Sequence, residues 1–132
     1  METTNTKKGS RITGWILSIL AILFLLFDGV GKLAKPEAVI KGTTELGYPE
    51  TVITGLGVVL LISTVLYALP RVSFLGAVLL TGYLGGAVAT HVRVGNPLFS
   101  HILFPVYLGL LIWIGLYLRN SHLRQLVTHK PA

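Results

Sequence analysis

Apolar positions fall in four long runs, about 12–33, 52–69, 72–92 and 102–118, separated by charge, proline and glycine. The third run, from Val72 to Val92, contains no Asp, Glu, Lys or Arg. A helix of that length reaches about 30 Å, the thickness of a bilayer core. Within it, Ala77, Thr81, Gly85 and Ala89 recur at steps of four, with Gly82 and Gly86 on the adjoining row. Lipid supplies little hydrophobic force between helices, so rows of small residues mark places where backbones can approach. This predicts that the third span is central and packs through Gly82, Gly85, Gly86 and Ala89.

The breaks between runs set the topology. Leu69-Pro70-Arg71 is a tight turn, since proline does not continue a helix and Arg71 favours water or headgroups. The second and third spans are therefore an antiparallel hairpin. Val94-Gly95-Asn96-Pro97 is a second turn cluster, after which Ser100 is placed to cap the fourth span, and Pro105 is a start signal in its first turns. The longest connection, 35–51, is expected to form a short capping helix or a loop. Pro36 suits a first turn, Glu37 and Lys41 are spaced for an ion pair, and Gly42 or Gly47 can end the helix. Val39, Ile40 and Leu46 would press it onto the bundle end, and a plain connector lying in the headgroups is the competing reading. Residues 1–10 are expected to be polar and mobile, and the basic tail from Asn120 to be frayed.

Composition agrees with the pattern. Of 132 residues, 52% are hydrophobic and 12% charged, and the mean hydropathy is +0.74, far from a soluble average. The fold class that follows is all-α, a single domain over 1–132 forming an integral membrane four-helix antiparallel bundle. The first run follows Lys7, Lys8 and Arg11 as a signal peptide would. It is long for a signal core, and Gly29-Val30-Gly31 is a poor cleavage site, so it reads as an uncleaved first helix. There is no cysteine, which excludes disulfide and thiol chemistry. The histidines form no HxxxH pair, and no metal motif is present.

The net charge of +6 would raise nucleic acid as a partner in a soluble protein, but here the charges flank the spans. Orientation in a bilayer explains them, and no nucleic-acid partner is expected. Lys7, Lys8, Arg11, Arg71, Arg119, Arg124 and Lys130 share one side, while Lys32, Lys35, Lys41 and Arg93 share the other with Asp28, Glu37, Glu45 and Glu50. The positive-inside rule then puts both termini in the cytoplasm.

Asp28 interrupts the first span about 24 Å along, with Lys32 one turn later on the same face. Ionisable groups at such depth are expensive and mark functional positions. The first and third spans run in the same direction, so His91 and Arg93 arrive at the same level, and His101 begins the fourth span there. Asp28, Lys32, His91, Arg93 and His101 thus form a candidate ligand-binding cluster. Two readings are open: an ion-pair clamp, with Asp28 held by Lys32 or Arg93, or a polar head-group site in which a histidine bonds the ligand while Tyr83, Tyr107 and apolar walls hold its tail.

Three stretches, Phe27-Asp-Gly-Val-Gly-Lys-Leu33, Leu46-Gly-Tyr-Pro49 and Gly85-Gly-Ala-Val-Ala-Thr-His-Val-Arg93, occur in an order that resembles the DoxX-like family of small four-helix bacterial membrane proteins. The likeness spans about Trp15 to Leu118. It implies four spans in the plasma membrane, and it marks Lys32, Gly85, Gly86, His91 and Arg93 as motif positions. The family takes its name from a subunit associated with quinone-linked thiosulfate oxidation, so the resemblance implies a binding or accessory subunit of a quinone-linked redox system, with quinone as ligand and redox-complex proteins as partners. A structural or interaction protein is the alternative, and a small-solute carrier is disfavoured because only the fourth span is broken by proline. No nucleophile or cofactor fingerprint points to an autonomous enzyme.

Overall fold

The computed structural model describes residues 2–128, with side chains from Lys8 onward. The helices are α1 (Glu2–Ala34), α2 (Glu37–Glu45), α3 (Ile53–Ala68), α4 (Ser73–Arg93), α5 (Phe104–Arg119) and α6 (Ser121–Thr128). One 3-10 turn, Glu50–Val52, leads into α3, and one π turn, Leu98–Ile102, precedes α5. Four helical stretches are long and apolar enough to cross a membrane: Lys8–Ala34, Glu50–Ala68, Ser73–Arg93 and Leu98–Arg119. The chain is an all-α membrane bundle.

Each spanning helix packs along its neighbours in sequence, and α5 closes the ring against α1. The helices follow the order α1, α3, α4, α5 around the bundle, with α1 and α4 on one diagonal. Ala21, Leu25, Leu60, Tyr67, Ala77, Leu80, Leu108, Ile112 and Leu116 fill the centre. Ile16, Leu23, Phe27, Val59, Ile62 and Leu110 are exposed on the outside, the arrangement a hydrocarbon solvent requires.

The expected central place of the third span is not observed. It is α1 that packs most extensively, along both α3 and α5, and its inward face reads Gly14, Ser18, Ala21, Leu25 and Gly29, all buried. A Cβ added at Gly14 would lie 2.7 Å from the Gly115 carbonyl oxygen, and one at Gly29 would lie 2.6 Å from Leu61. On α4 the close approach is at Gly76, where a Cβ would lie 2.2 Å from the Tyr67 backbone nitrogen. Gly82, Gly85 and Gly86 would meet nothing within 4 Å, and Ala89 is exposed. Small residues do mark helix contacts here, but on α1 and at the hairpin base.

Several boundary expectations are also corrected. The polar start continues α1 to Glu2, and the tail forms α6 with Leu123 buried. Lys130 lies outside the described residues. α5 begins at Phe104 with Pro105 in its first turn, and Ser100 does not cap it; the Ser100 hydroxyl meets His101 Nδ1 at 2.8 Å instead.

At the end holding the termini, the sidedness of the charges hides a polar clamp. Arg119 Nε donates to Ser18 Oγ at 2.9 Å, and Ser18 donates to the Tyr67 hydroxyl at 2.9 Å. Tyr67 in turn donates to the Ile112 carbonyl at 2.6 Å. The Arg119 fork also reaches the Tyr67 carbonyl at 3.0 Å and Ser73 Oγ at 3.3 Å. Its guanidinium sits over the Trp15 ring at 4.1 Å. One side chain therefore joins all four spanning helices.

Candidate functional site

The opposite end of the bundle holds a cavity of about 480 Å³, within the usual range for small-molecule sites. Its apolar wall includes Phe24, Leu25, Leu56, Leu84, Phe104 and Leu108, and its polar groups come from Asp28, Lys32, Thr43, Tyr48, Tyr83, Thr90 and His91. Gly82 and Gly86 line it too, so these glycines leave space where a side chain would intrude.

Asp28 and Lys32 form the expected i,i+4 pair, with Lys32 Nζ donating to Asp28 Oδ1 at 2.6 Å. The Lys32 side chain is 14% exposed and that of Asp28 37%, so the carboxylate is the more open partner. Gly57 on α3 supports the pair from behind, since a Cβ there would sit 2.9 Å from Lys32 Cβ and 3.1 Å from the Gly29 carbonyl. The two backbones meet beside the ion pair and fix its height.

The connection forms a cap by a specific local route. Lys35 takes the left-handed conformation at φ 53° and ends α1, and Pro36 starts α2. Gly47, at φ 96°, ends the turn after it, where the Gly47 N–H donates to the Thr44 carbonyl and the Tyr48 N–H to that of Thr43. This is a Schellman closure, in which a left-handed glycine satisfies the last carbonyls of the helix. The Glu37–Lys41 pair does not form; among the described residues the one salt bridge is Asp28–Lys32.

Two contacts hold the cap over the cavity. The Tyr48 hydroxyl meets Thr90 Oγ1 at 2.6 Å, and because the Thr90 hydroxyl donates to the Gly86 carbonyl at 2.8 Å, Tyr48 is the donor. The Arg93 guanidinium donates to the Leu46 carbonyl and lies against Gly47, where a Cβ would be 2.8 Å from it. Arg93 therefore anchors the cap and does not pair with Asp28.

His91 lies on the cavity wall. The Asn96 amide donates to its Nδ1 at 2.7 Å, which leaves Nε2 as the protonated, unengaged nitrogen of the neutral ring. His101 is outside the cavity lining and packs edge-on to His91, with ring centroids 5.8 Å apart and planes at 73°. The Tyr83 hydroxyl enters none of the side-chain hydrogen bonds at this end.

Of the five residues expected to converge, Asp28, Lys32 and His91 line one cavity, while Arg93 and His101 stand behind it. Tyr48, Thr90 and Asn96 were missed as polar members of the site. The Leu46-Gly-Tyr-Pro49 stretch carried the only signal for Tyr48, an aromatic beside a helix-ending glycine in a segment expected to cover the bundle. The described residues hold no group of His, Asp or Glu side chains able to bind a metal ion.

No curated protein and no solved structure matches the chain. The family model described as DoxX-like matches residues 16–115, a stretch that includes the ion pair, the cap, His91 and every cavity-lining residue. By that match, the chain belongs to the DoxX-like family.

Proposed function

We propose that the protein binds a membrane-borne quinone or quinol in the cap-end cavity, as a binding or accessory subunit of a quinone-linked redox system in the plasma membrane. The observation that supports this reading most is the charge balance of the polar wall. Lys32 is neutralised by Asp28, Arg93 is turned to the cap, and donors left over on the wall include the Tyr83 and Thr43 hydroxyls and His91 Nε2. Such a wall suits a neutral head with carbonyl oxygens. A carboxylate or phosphate head would meet Asp28 without a free cation to offset it. The apolar remainder suits a ring and the start of a lipid tail.

The test is thermal unfolding in mild detergent with a short-tailed ubiquinone or menaquinone analogue. Ligand at a hundredfold excess over its Kd stabilises by about 2.7 kcal/mol, a clear rise in Tm. His91→Ala should lose that rise, because the Nε2 contact to the head exists only in the complex, while its unliganded baseline falls only by what the Asn96 bond contributes. Asp28→Asn should instead destabilise the unliganded protein by about 2 kcal/mol, and so lower its Tm, because it leaves Lys32 without its anion. A wild-type protein whose Tm ignores both analogues would refute the reading.

The orientation proposed with it is cytoplasmic termini and an external cap. The chain has no cysteine, so Thr44→Cys and Thr128→Cys report it directly. An impermeant thiol reagent applied to intact cells should label Thr44→Cys and spare Thr128→Cys. The reverse pattern would invert the orientation and leave the cavity chemistry untouched.

A further inference from the structure

The two ends of the bundle differ in charge. Among the described side chains, the cap end carries Lys32, Lys35, Lys41 and Arg93 against Asp28, Glu37, Glu45 and Glu50, whereas the opposite end carries Lys8, Arg11, Arg71, Arg119 and Arg124 with no acid. Arg119 and Arg124 are occupied by the protein itself, Arg124 donating to the Tyr117 and Leu118 carbonyls at 2.9 and 2.6 Å. Lys8, Arg11 and Arg71 are exposed.

α6 lies at this end and is built to turn away from α5. Asn120 is extended, at φ −123° and ψ 109°, and its side chain accepts from the Leu123 N–H at 3.1 Å, an N-cap for α6. Leu123, Leu126 and Val127 share one face by their i, i+3, i+4 spacing. Leu123 is buried in the core cluster, yet Leu126 is 64% exposed and Val127 57%. The apolar stripe therefore runs off the edge of the bundle at the level where the spanning helices end, with His122, Arg124 and Gln125 on other faces.

We propose that α6 and the basic end of the bundle form a surface that seats on the anionic headgroups of one bilayer leaflet, with Leu126 and Val127 entering the acyl-chain boundary. Three properties select a phospholipid surface over a protein partner. Among the described side chains the exposed cations have no acid beside them, so an anionic layer meets their charge directly. The stripe continues the lipid-facing surface of the bundle. A helix with one apolar face, set beside exposed cations of the bundle end, suits the interface plane. This surface is independent of the cap-end cavity.

The full chain supplies its own test because cysteines can be added singly. Leu126→Cys and Gln125→Cys, each carrying an environment-sensitive fluorophore, are reconstituted in vesicles of phosphatidylcholine alone and of phosphatidylcholine with phosphatidylglycerol. The label at 126 should be quenched by spin-labelled lipid and protected from aqueous iodide, and the label at 125 should behave oppositely. Spin-labelled phosphatidylglycerol should associate with the wild type in preference to phosphatidylcholine, and Arg11→Gln with Arg71→Gln should lower that preference severalfold, as should high salt. Labels at 126 and 125 equally open to iodide in both vesicle types would overturn the seating. A lipid preference that is absent in the wild type, or unchanged in the double variant, would overturn the anionic partner.

Discussion

Gly76→Ala should lower the stability of the bundle by about 3 kcal/mol, the upper part of the range for overpacking. The added Cβ would sit 2.2 Å from the Tyr67 nitrogen and 2.5 Å from its Cα. Neither is the end of a flexible side chain, so the α3–α4 hairpin must open at its base. Opening would also pull the Tyr67 carbonyl from Ser73 Oγ, which now lies 2.8 Å away. Gly86→Ala supplies the contrast. Its Cβ meets nothing within 4 Å, and alanine is the better helix former, so the bundle should be as stable as wild type or slightly more so. Unfolding by heat in detergent, followed by circular dichroism, separates the two variants. Equal losses would return helix packing to the exposed glycines of α4.

Arg119→Leu should cost about 3 kcal/mol as well, for a different reason. Hydrogen bonds to charged groups contribute about 1.5–3 kcal/mol each, and this side chain makes three, to Ser18, Ser73 and the Tyr67 carbonyl. Because all three are only part-buried and share one guanidinium, their loss is less than the sum. Its stacking on Trp15 adds to them. Leucine would leave the Ser18 and Ser73 hydroxyl oxygens without the donor they accept from and the Tyr67 carbonyl with Ser73 alone. Arg119→Lys should restore little, since one ammonium cannot span acceptors on three helices or stack as a plane. Combining Arg119→Leu with Tyr67→Phe should cost less than the two losses added, because both cut the same chain of bonds. Arg71→Gln, at an exposed arginine of the same end, is the control. An Arg119→Leu loss no larger than that of Arg71→Gln would remove the clamp.

The spans were legible because a bilayer imposes length and polarity on every helix that crosses it. Asp28 and Lys32 were legible because a pair four residues apart on a helix needs no knowledge of the rest of the fold. The rest depends on which faces meet. Gly82, Gly85 and Gly86 satisfy the spacing rule for packing as well as Gly14 and Ser18 do, and periodicity alone does not say which row looks inward. Arg119 was read as a flanking charge because its partners lie 46 to 101 residues away, with no local spacing to join them. Arg93 sat next to the site in sequence, but the partner it took was a backbone carbonyl, which carries no side-chain signature.

The seat of Arg119 has a consequence for how the chain is made. Ser18, Tyr67 and Ser73 emerge from the ribosome before Arg119 does, on three helices that a bilayer will accept one by one. Until the last span arrives, the Ser18 and Tyr67 hydroxyls and the Tyr67 carbonyl wait without the guanidinium that gathers them. α5 also supplies Gly115, the surface against which Gly14 of the first helix closes. A chain stopped before α5 would thus insert three helices and leave the ring open, with α1 lacking both the Gly115 surface and the Arg119 donor that hold it in the finished molecule.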